Sequence, residues 1–376
     1  MYNLTQLLSF MKQHDASDLY LTVGRPPCFK INGVVRPAGK EALTGELIQK
    51  MAEDALNAEQ LREFIDTKEQ NLAIELADIG RFRLNLYQQK GRPAMVIRKI
   101  ETDIKTIDDL NLPAVMKQIS MTKRGLVLVV GATGSGKSTT LAAMIDHRND
   151  NEAGHIMTIE DPVEFVHEHK KCVVSQREVG VDTDSFKSAL KNALRQAPTV
   201  ILIGEIRDEE TMEHALSFAE TGHLCLATLH SNNANQAMER VLNFFPPERH
   251  RQIYLQLSLN LQAIVSQRLM KTVDGGRAAA IEILLGSARV RDLIRRGEVD
   301  ALKDAMVDGA VEGMQTFDQA LFNLYRAGRI SMEEALQNAD SVTDLKLKIK
   351  LAAAGGDTEE PTRIDDNGEE AVMAFQ

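Results

Sequence analysis

The run Gly131-Ala132-Thr133-Gly134-Ser135-Gly136-Lys137-Ser138-Thr139 matches G-x-x-x-x-G-K-[ST] and carries the strongest chemical signal in the chain. Glycines let the backbone curl so that successive N–H groups face phosphate oxygens, and a helix opening at this point adds positive potential. Lys137 supplies a point charge for the β- and γ-phosphates, and the Ser138 hydroxyl is a ligand for Mg²⁺. At ordinary residue usage, such a match arises by chance in on the order of one chain in a hundred of this length. Context narrows it further: an apolar run, Leu126–Val130, leads in, and a helical face with Leu141, Met144 and Ile145 leads out. This is a nucleotide site.

Hydrolysis needs an acidic element as well. Val200–Ile203 is an apolar strand pattern followed by Gly204 and Glu205. Asp is the usual residue there; Glu has one more methylene and reaches Mg²⁺ through water. A second cluster, Glu160, Asp161 and Glu164, follows the run Ile156–Ile159. Carboxylates at the carboxyl ends of parallel strands sit where such sheets bind ligands. Either cluster alone reads as helix capping and solvated charge. Two of them beside a phosphate loop make a hydrolase arrangement. His223 and His230 bracket the strand pattern Leu224–Leu229, which leaves a γ-phosphate sensor and a structural pair both open. His167 and His169 put two imidazoles two residues apart, and metal binding there is the weaker reading.

The elements that must hold these residues divide the chain. Residues 1–100 read as a small α/β domain: an opening helix with Leu4, Leu7, Leu8 and Met11, strands near Leu19–Val23 and Phe29–Val34, and a helix with Met51, Leu56 and Leu61. Strands near Leu72–Leu76, Arg81–Tyr87 and Ala94–Ile100 complete it. In Arg81–Tyr87 the alternation of Phe82, Leu84 and Leu86 with polar residues puts Arg81 and Arg83 on the face away from the core. Residues 101–119 read as a linker. From 120 to 351, β-branched runs alternate with helical segments near Ser138–Asp146, Ser185–Gln196 and Glu209–Ala219, the pattern of a parallel sheet covered on both faces. After residue 245 the pattern is mostly helical, with one strand near Ala279–Leu285. Residues 352–376 are polar and acidic and read as a disordered tail.

Composition excludes several classes. The chain has 376 residues, 43% hydrophobic and 26% charged, as an ordinary globular protein does. No apolar run approaches the length of a membrane span, and the opening residues lack a signal-peptide pattern. Cys28, Cys172 and Cys225 are too few and too scattered for a disulfide framework or a simple zinc site. Of the net charge of −10, the tail supplies −6 through seven acids against Arg363, so the body is near neutral. With no Trp and 5% aromatics, the chain lacks the basic, stacking groove of a nucleic-acid motor, so no nucleic-acid partner is expected.

The motifs TIEDPVEF (158–165), GEIRD (204–208), and ETGH with ATLH (220–230) resemble those of the secretion ATPase superfamily. ASDLYLTVGRPP (16–27), GRFRLNLYQ (80–88) and SQREVG (175–180) are similar to the type IV pilus retraction ATPases, and NNANQA (232–237) with the acidic extension to their accessory, PilU-type branch. The resemblance covers the chain to about residue 350. It implies an N-terminal PAS-like domain, a RecA-like ATPase domain with C-terminal helices, and a homo-hexameric ring. It assigns Lys137 and Ser138 to ATP–Mg²⁺, Glu164 to the general base, Glu205 to an atypical Walker B role, and His223 and His230 to a His box. Arg81 and Arg83 become candidates to reach a neighbour's ATP in trans.

The implied activity is ATP hydrolysis coupled to pilus retraction, for twitching motility or DNA-uptake pili. It is placed in the cytoplasm at the inner face of the inner membrane, peripheral to it, with the retraction motor PilT and a membrane platform protein as partners. Two departures bear on this. The chain lacks the four zinc-binding cysteines common in extension and type II secretion relatives. In place of the retraction motors' AIRNLIR-like helix it has Arg289-Val290-Arg291-Asp292-Leu293-Ile294-Arg295, which points to action alongside a partner motor. The rival reading is a catalytically quiet ring that assists PilT by binding alone.

Overall fold

The computed structural model describes residues 2–31, 33–100 and 103–354. Two sheets organise it. The first is antiparallel throughout, with strands β1 (Asp18–Leu21), β2 (Cys28–Ile31), β3 (Val34–Pro37), β4 (Glu69–Leu76), β5 (Gly80–Gln89) and β6 (Arg92–Ile100) in the order β3-β2-β1-β6-β5-β4. Alternation in β5 buries Phe82, Leu84 and Leu86 completely and leaves Arg81 and Arg83 on the other face, as the period-two pattern requires. Leu7, Leu8 and Met11 of the helix Leu4–Gln13, with Ile48 and Met51 of the helix Gly45–Ala55, pack onto that apolar face.

Two elements differ from expectation. The strand expected across Phe29–Val34 is the hairpin of β2 and β3, which turns through Gly33 at φ +80°. The helix expected to carry Met51, Leu56 and Leu61 is two helices, because Asn57 starts a second one, Ala58–Thr67. The Asn57 side chain accepts from the Gln60 backbone N–H while the Gln60 side chain accepts from the Asn57 N–H, a capping box.

The second sheet has β7 (Gly125–Val130), β8 (Gly154–Glu160), β9 (Cys172–Glu178), β10 (Val200–Ile203), β11 (Leu224–Leu229), β12 (Leu261–Lys271) and β13 (Arg277–Leu285), in the order β13-β12-β7-β11-β10-β8-β9. All neighbours run parallel except β13, which is antiparallel to β12. Leu126, Leu128 and Val130 enter one hydrophobic cluster and Val127 and Val129 another, so β7 is buried on both faces. The expected helical region after residue 245 instead contributes β12, an 11-residue strand paired with β7 on one side and β13 on the other. Its polar residues Ser266, Gln267 and Arg268 mask the strand pattern; each turns out to hold a neighbouring element. The expected linker also takes part in the core: Ile107, Leu112, Met116 and Ile119 pack beneath this sheet. The helices Phe317–Arg326, Met332–Gln337 and Val342–Ala354 form a small cluster on Met270 and Ala280. The expected tail lies outside the described residues beyond Ala354.

Candidate active site

Parallel pairing sends the carboxyl ends of β7, β8, β10 and β11 to one edge of the sheet. There they open on a cavity of about 560 Å³ lined by Lys137, Ser138, Glu160, Glu164, Glu205 and His230. Thr133, Gly134, Gly136 and Thr139 line it as well, while Ala132 lies beside His230 and Asn232 in an adjoining depression.

The loop after β7 is braced from β12. The Thr140 hydroxyl donates to Gln267 Oε1 at 2.8 Å, in a buried contact. A Cβ on Gly131, at φ +152°, would lie 2.5 Å from the Gln267 carbonyl oxygen and from Ser135 Oγ. One on Gly136, at φ +90°, would lie 2.7 Å from Gln267 Nε2. Conformation thus requires both glycines, and the backbone contact leaves no space for a side chain at Gly131. Lys137 Nζ donates to the carbonyls of Gly131 at 2.8 Å and Ala132 at 3.1 Å. Burial draws its pKa below the usual lysine value, and the nearby Glu205 opposes this. Ser135 Oγ is buried and has no partner among the described residues. A cradle with an orphaned hydroxyl and a half-buried ammonium fits a phosphate chain. The oxygen donors suited to Mg²⁺, the Ser138 hydroxyl and the Glu205 carboxylate, both line the cavity.

Glu205 stands two residues beyond β10. Its Oε2 accepts from Arg207 Nε at 2.8 Å, and its Oε1 lies 3.2 Å from His230 Nε2. Arg207 also reaches Asp161 Oδ2 at 3.3 Å, so one guanidinium ties together the acidic ends of β8 and β10. Glu160, the last residue of β8, has its pKa pushed up to about 7, chiefly by burial. Hydrogen bonds from Thr158, Gln176 and the Glu164 backbone act against that rise, and the Glu164 charge adds a smaller push upward. His167 lines the cavity too. Burial holds its pKa down at about 4, so the ring is neutral, and its Nδ1 has no partner among the described residues.

The other candidates lie elsewhere in the chain. His223 precedes β11, whereas His230 follows it, so roughly 20 Å of strand separates them. His223 Nδ1 sits 3.1 Å from Thr221 Oγ1 and 3.3 Å from the Phe218 carbonyl, bonds that close the turn before β11. Of the two histidines that bracket this strand, His230 lines the cavity and His223 does not, because opposite ends of a parallel strand reach opposite edges of the sheet. Arg81 and Arg83 on β5 do not line the cavity within the chain. Two other cations do: Lys99 at the end of β6 and Arg277, which opens β13. Neither sits in a motif, and only tertiary structure brings them there. Arg207 did have a signal, the GEIRD motif. His169 accepts the Val174 backbone N–H at 3.1 Å and holds its own loop.

Residues 94–344 match the family described as Type II/IV secretion system protein. The chain belongs to that family. Its relatives place it among the type IV pilus retraction ATPases, and it is an ATPase. It is 55% identical over 349 residues to the Type IV pilus ATPase PilU of Pseudomonas aeruginosa, covering 93% of this chain and 91% of that protein. It is 43% identical to the type IV pilus retraction ATPase PilT of the same organism, over 90% of this chain and 98% of that one. The crystal structure of the pilus retraction motor PilT with bound ADP superposes with a TM-score of 0.86 at 37% identity, covering 92% of this chain and all of that one. No helix among the described residues is long and apolar enough to cross a membrane.

Proposed function

We propose that this retraction-related ATPase works as a homo-hexameric ring that hydrolyses ATP with Mg²⁺ to drive type IV pilus retraction beside a PilT motor. The observation that carries this is the convergence of Lys137, Glu164, Glu205 and His230 on one cavity, in a chain similar to PilU over 93% of its residues and to PilT over 90%. Lys137 and the loop N–H groups hold the phosphates. Ser138 and Glu205 would hold Mg²⁺, which would supply charge neutralisation at the phosphates. Glu164 takes the proton of the attacking water, and His230, in contact with Glu205, reports the state of the γ-phosphate. Arg81 or Arg83 of a neighbouring subunit completes the charge neutralisation in trans. Closure on ATP, passed round the ring, turns a platform protein at the cytoplasmic face of the inner membrane.

The test pairs phosphate release by purified Lys137→Ala protein with a count of surface pili in a Lys137→Ala strain. Lost turnover with accumulating pili supports the reading. Lost pili would reverse the direction of the motor. Lost turnover with a parental pilus number would favour the quiet coupling ring.

A further inference from the structure

Glu164 sits in an irregular segment, yet the backbone on either side of it is fixed. Glu178 and Gln176 stand two residues apart on β9 and so project to the same side of that edge strand. Glu178 is buried, and its Oε2 accepts the Val163 backbone N–H at 3.1 Å. The Gln176 amide makes two opposed bonds: Nε2 donates to the Phe165 carbonyl at 2.8 Å, and Oε1 accepts the His167 N–H at 2.8 Å. Val163, Phe165 and His167 are alternate residues, so two side chains do here what a neighbouring strand's backbone does in a ladder. The same Nε2 lies 3.4 Å from Glu160 Oε1, tying the clamp to the buried carboxyl of the cavity.

We propose that Gln176 and Glu178 are positioning residues that hold the Glu164 carboxylate at the reacting water. Neither residue lines the cavity, so each acts through the segment it grips. The proposal rests on the reading of Glu164 as the general base. A base must stay within hydrogen-bond reach of the proton it takes, and a displacement of about 1 Å costs roughly a hundredfold in rate. An irregular segment has no ladder of its own to supply that accuracy. The hydrogen-bonding side chains of the SQREVG motif supply it from the adjacent strand.

The experiment measures kcat, KM for ATP and thermal stability in full-length protein. Gln176→Leu keeps bulk and removes both bonds. Gln176→Glu keeps the acceptor for His167 and loses the donor for Phe165. Glu178→Gln keeps its acceptor, and Glu178→Leu does not. The expected result is a kcat lowered about a hundredfold in Gln176→Leu and Glu178→Leu, with KM changed less than roughly threefold. Gln176→Glu falls between these and the parent, and Glu178→Gln retains near-parental kcat.

In a Glu164→Gln background, Gln176→Leu lowers residual turnover no further, because the group it positions is already gone. Parental kcat in folded Gln176→Leu, beside an inactive Glu164→Gln, overturns the clamp alone. A rise in KM as large as the fall in kcat/KM also overturns it, since that marks lost nucleotide binding. Parental turnover in Glu164→Gln removes the base assignment, and the clamp with it.

Discussion

The two ends of β11 hold the same side chain in opposite circumstances. At the carboxyl end, His230 meets Glu205 across a cavity that also holds Lys137 and two acidic strand ends. At the amino end, His223 meets a threonine hydroxyl and a backbone carbonyl and closes a turn. The carboxyl edge likewise gathers the buried carboxyls with raised pKa, Glu160 and Glu282, both at about 7. In a parallel sheet the strand ends are not equivalent. Every crossover helix starts at the carboxyl edge, so free N–H groups and irregular loops collect there and chemistry follows them.

The largest effects should fall on the carboxyl edge. Lys137→Ala and Glu164→Gln are each expected to lower phosphate release by about a thousandfold. They differ in binding: Lys137→Ala weakens nucleotide affinity, while Glu164→Gln leaves it near the parental value. Isothermal titration with ADP separates the two. Equal loss of affinity in both variants would mean that Glu164 holds nucleotide rather than water.

The histidines break the comparison most directly. His230→Ala is expected to lower turnover by roughly 10- to 100-fold, because it removes a partner that orients Glu205. His223→Ala is expected to keep parental turnover and to lose about 1 kcal/mol of stability, the worth of its turn-closing hydrogen bond. Similar kinetic losses in both would show the amino end reporting to the nucleotide after all. A smaller effect belongs to the brace behind the phosphate loop. Gln267→Leu leaves the buried Thr140 hydroxyl without its acceptor and should lower unfolding free energy by about 1–3 kcal/mol, read by denaturant unfolding.

The sequence made this edge legible where chemistry and local pattern coincide. The phosphate loop follows an apolar strand, and Val200–Ile203 and Leu224–Leu229 emerge with the bounds expected of them. It hid what depends on strands meeting. The polar residues of β12 disguised a strand because Gln267 braces the loop and Arg268 spans from the Asn232 carbonyl to Asp340. Period alone could not tell whether His223 and His230 share an edge, since that depends on strand length and direction. Lys99 and Arg277 reach the cavity from the ends of strands in different sheets, and no local pattern marks such a meeting. The capping box at Asn57 and Gln60, by contrast, was present in the sequence as a helix start between Leu56 and Leu61.

A further expected effect concerns pH. Glu282 Oε1 accepts the Ala234 N–H at 2.8 Å and the Ser266 hydroxyl at 3.0 Å, so it fastens the helix that follows the His230 loop onto β12 and β13. Burial raises its pKa from 4.5 to about 7, and these hydrogen bonds with the Arg268 charge only partly offset that, while Asp340 adds to the rise. Between those two values the folded protein binds more protons at Glu282 than the unfolded chain does. Stability from this group is therefore full at low pH and is lost as pH rises toward 7, at no more than about 1.4 kcal/mol per unit. Glu160 contributes with the same sign. His167 opposes both: its pKa falls from 6.5 to about 4, so stability rises with pH across that window. The parental curve from pH 4.5 to 6.5 is thus flattened by cancellation, and the informative quantity is a difference. Glu282→Gln should retain more of its stability at pH 7 relative to pH 5 than the parent does, measured by thermal unfolding across that range. Identical slopes would mean that Glu282 is ionised at neutral pH, with the positive end of the Ala234 helix and Arg268 outweighing its burial.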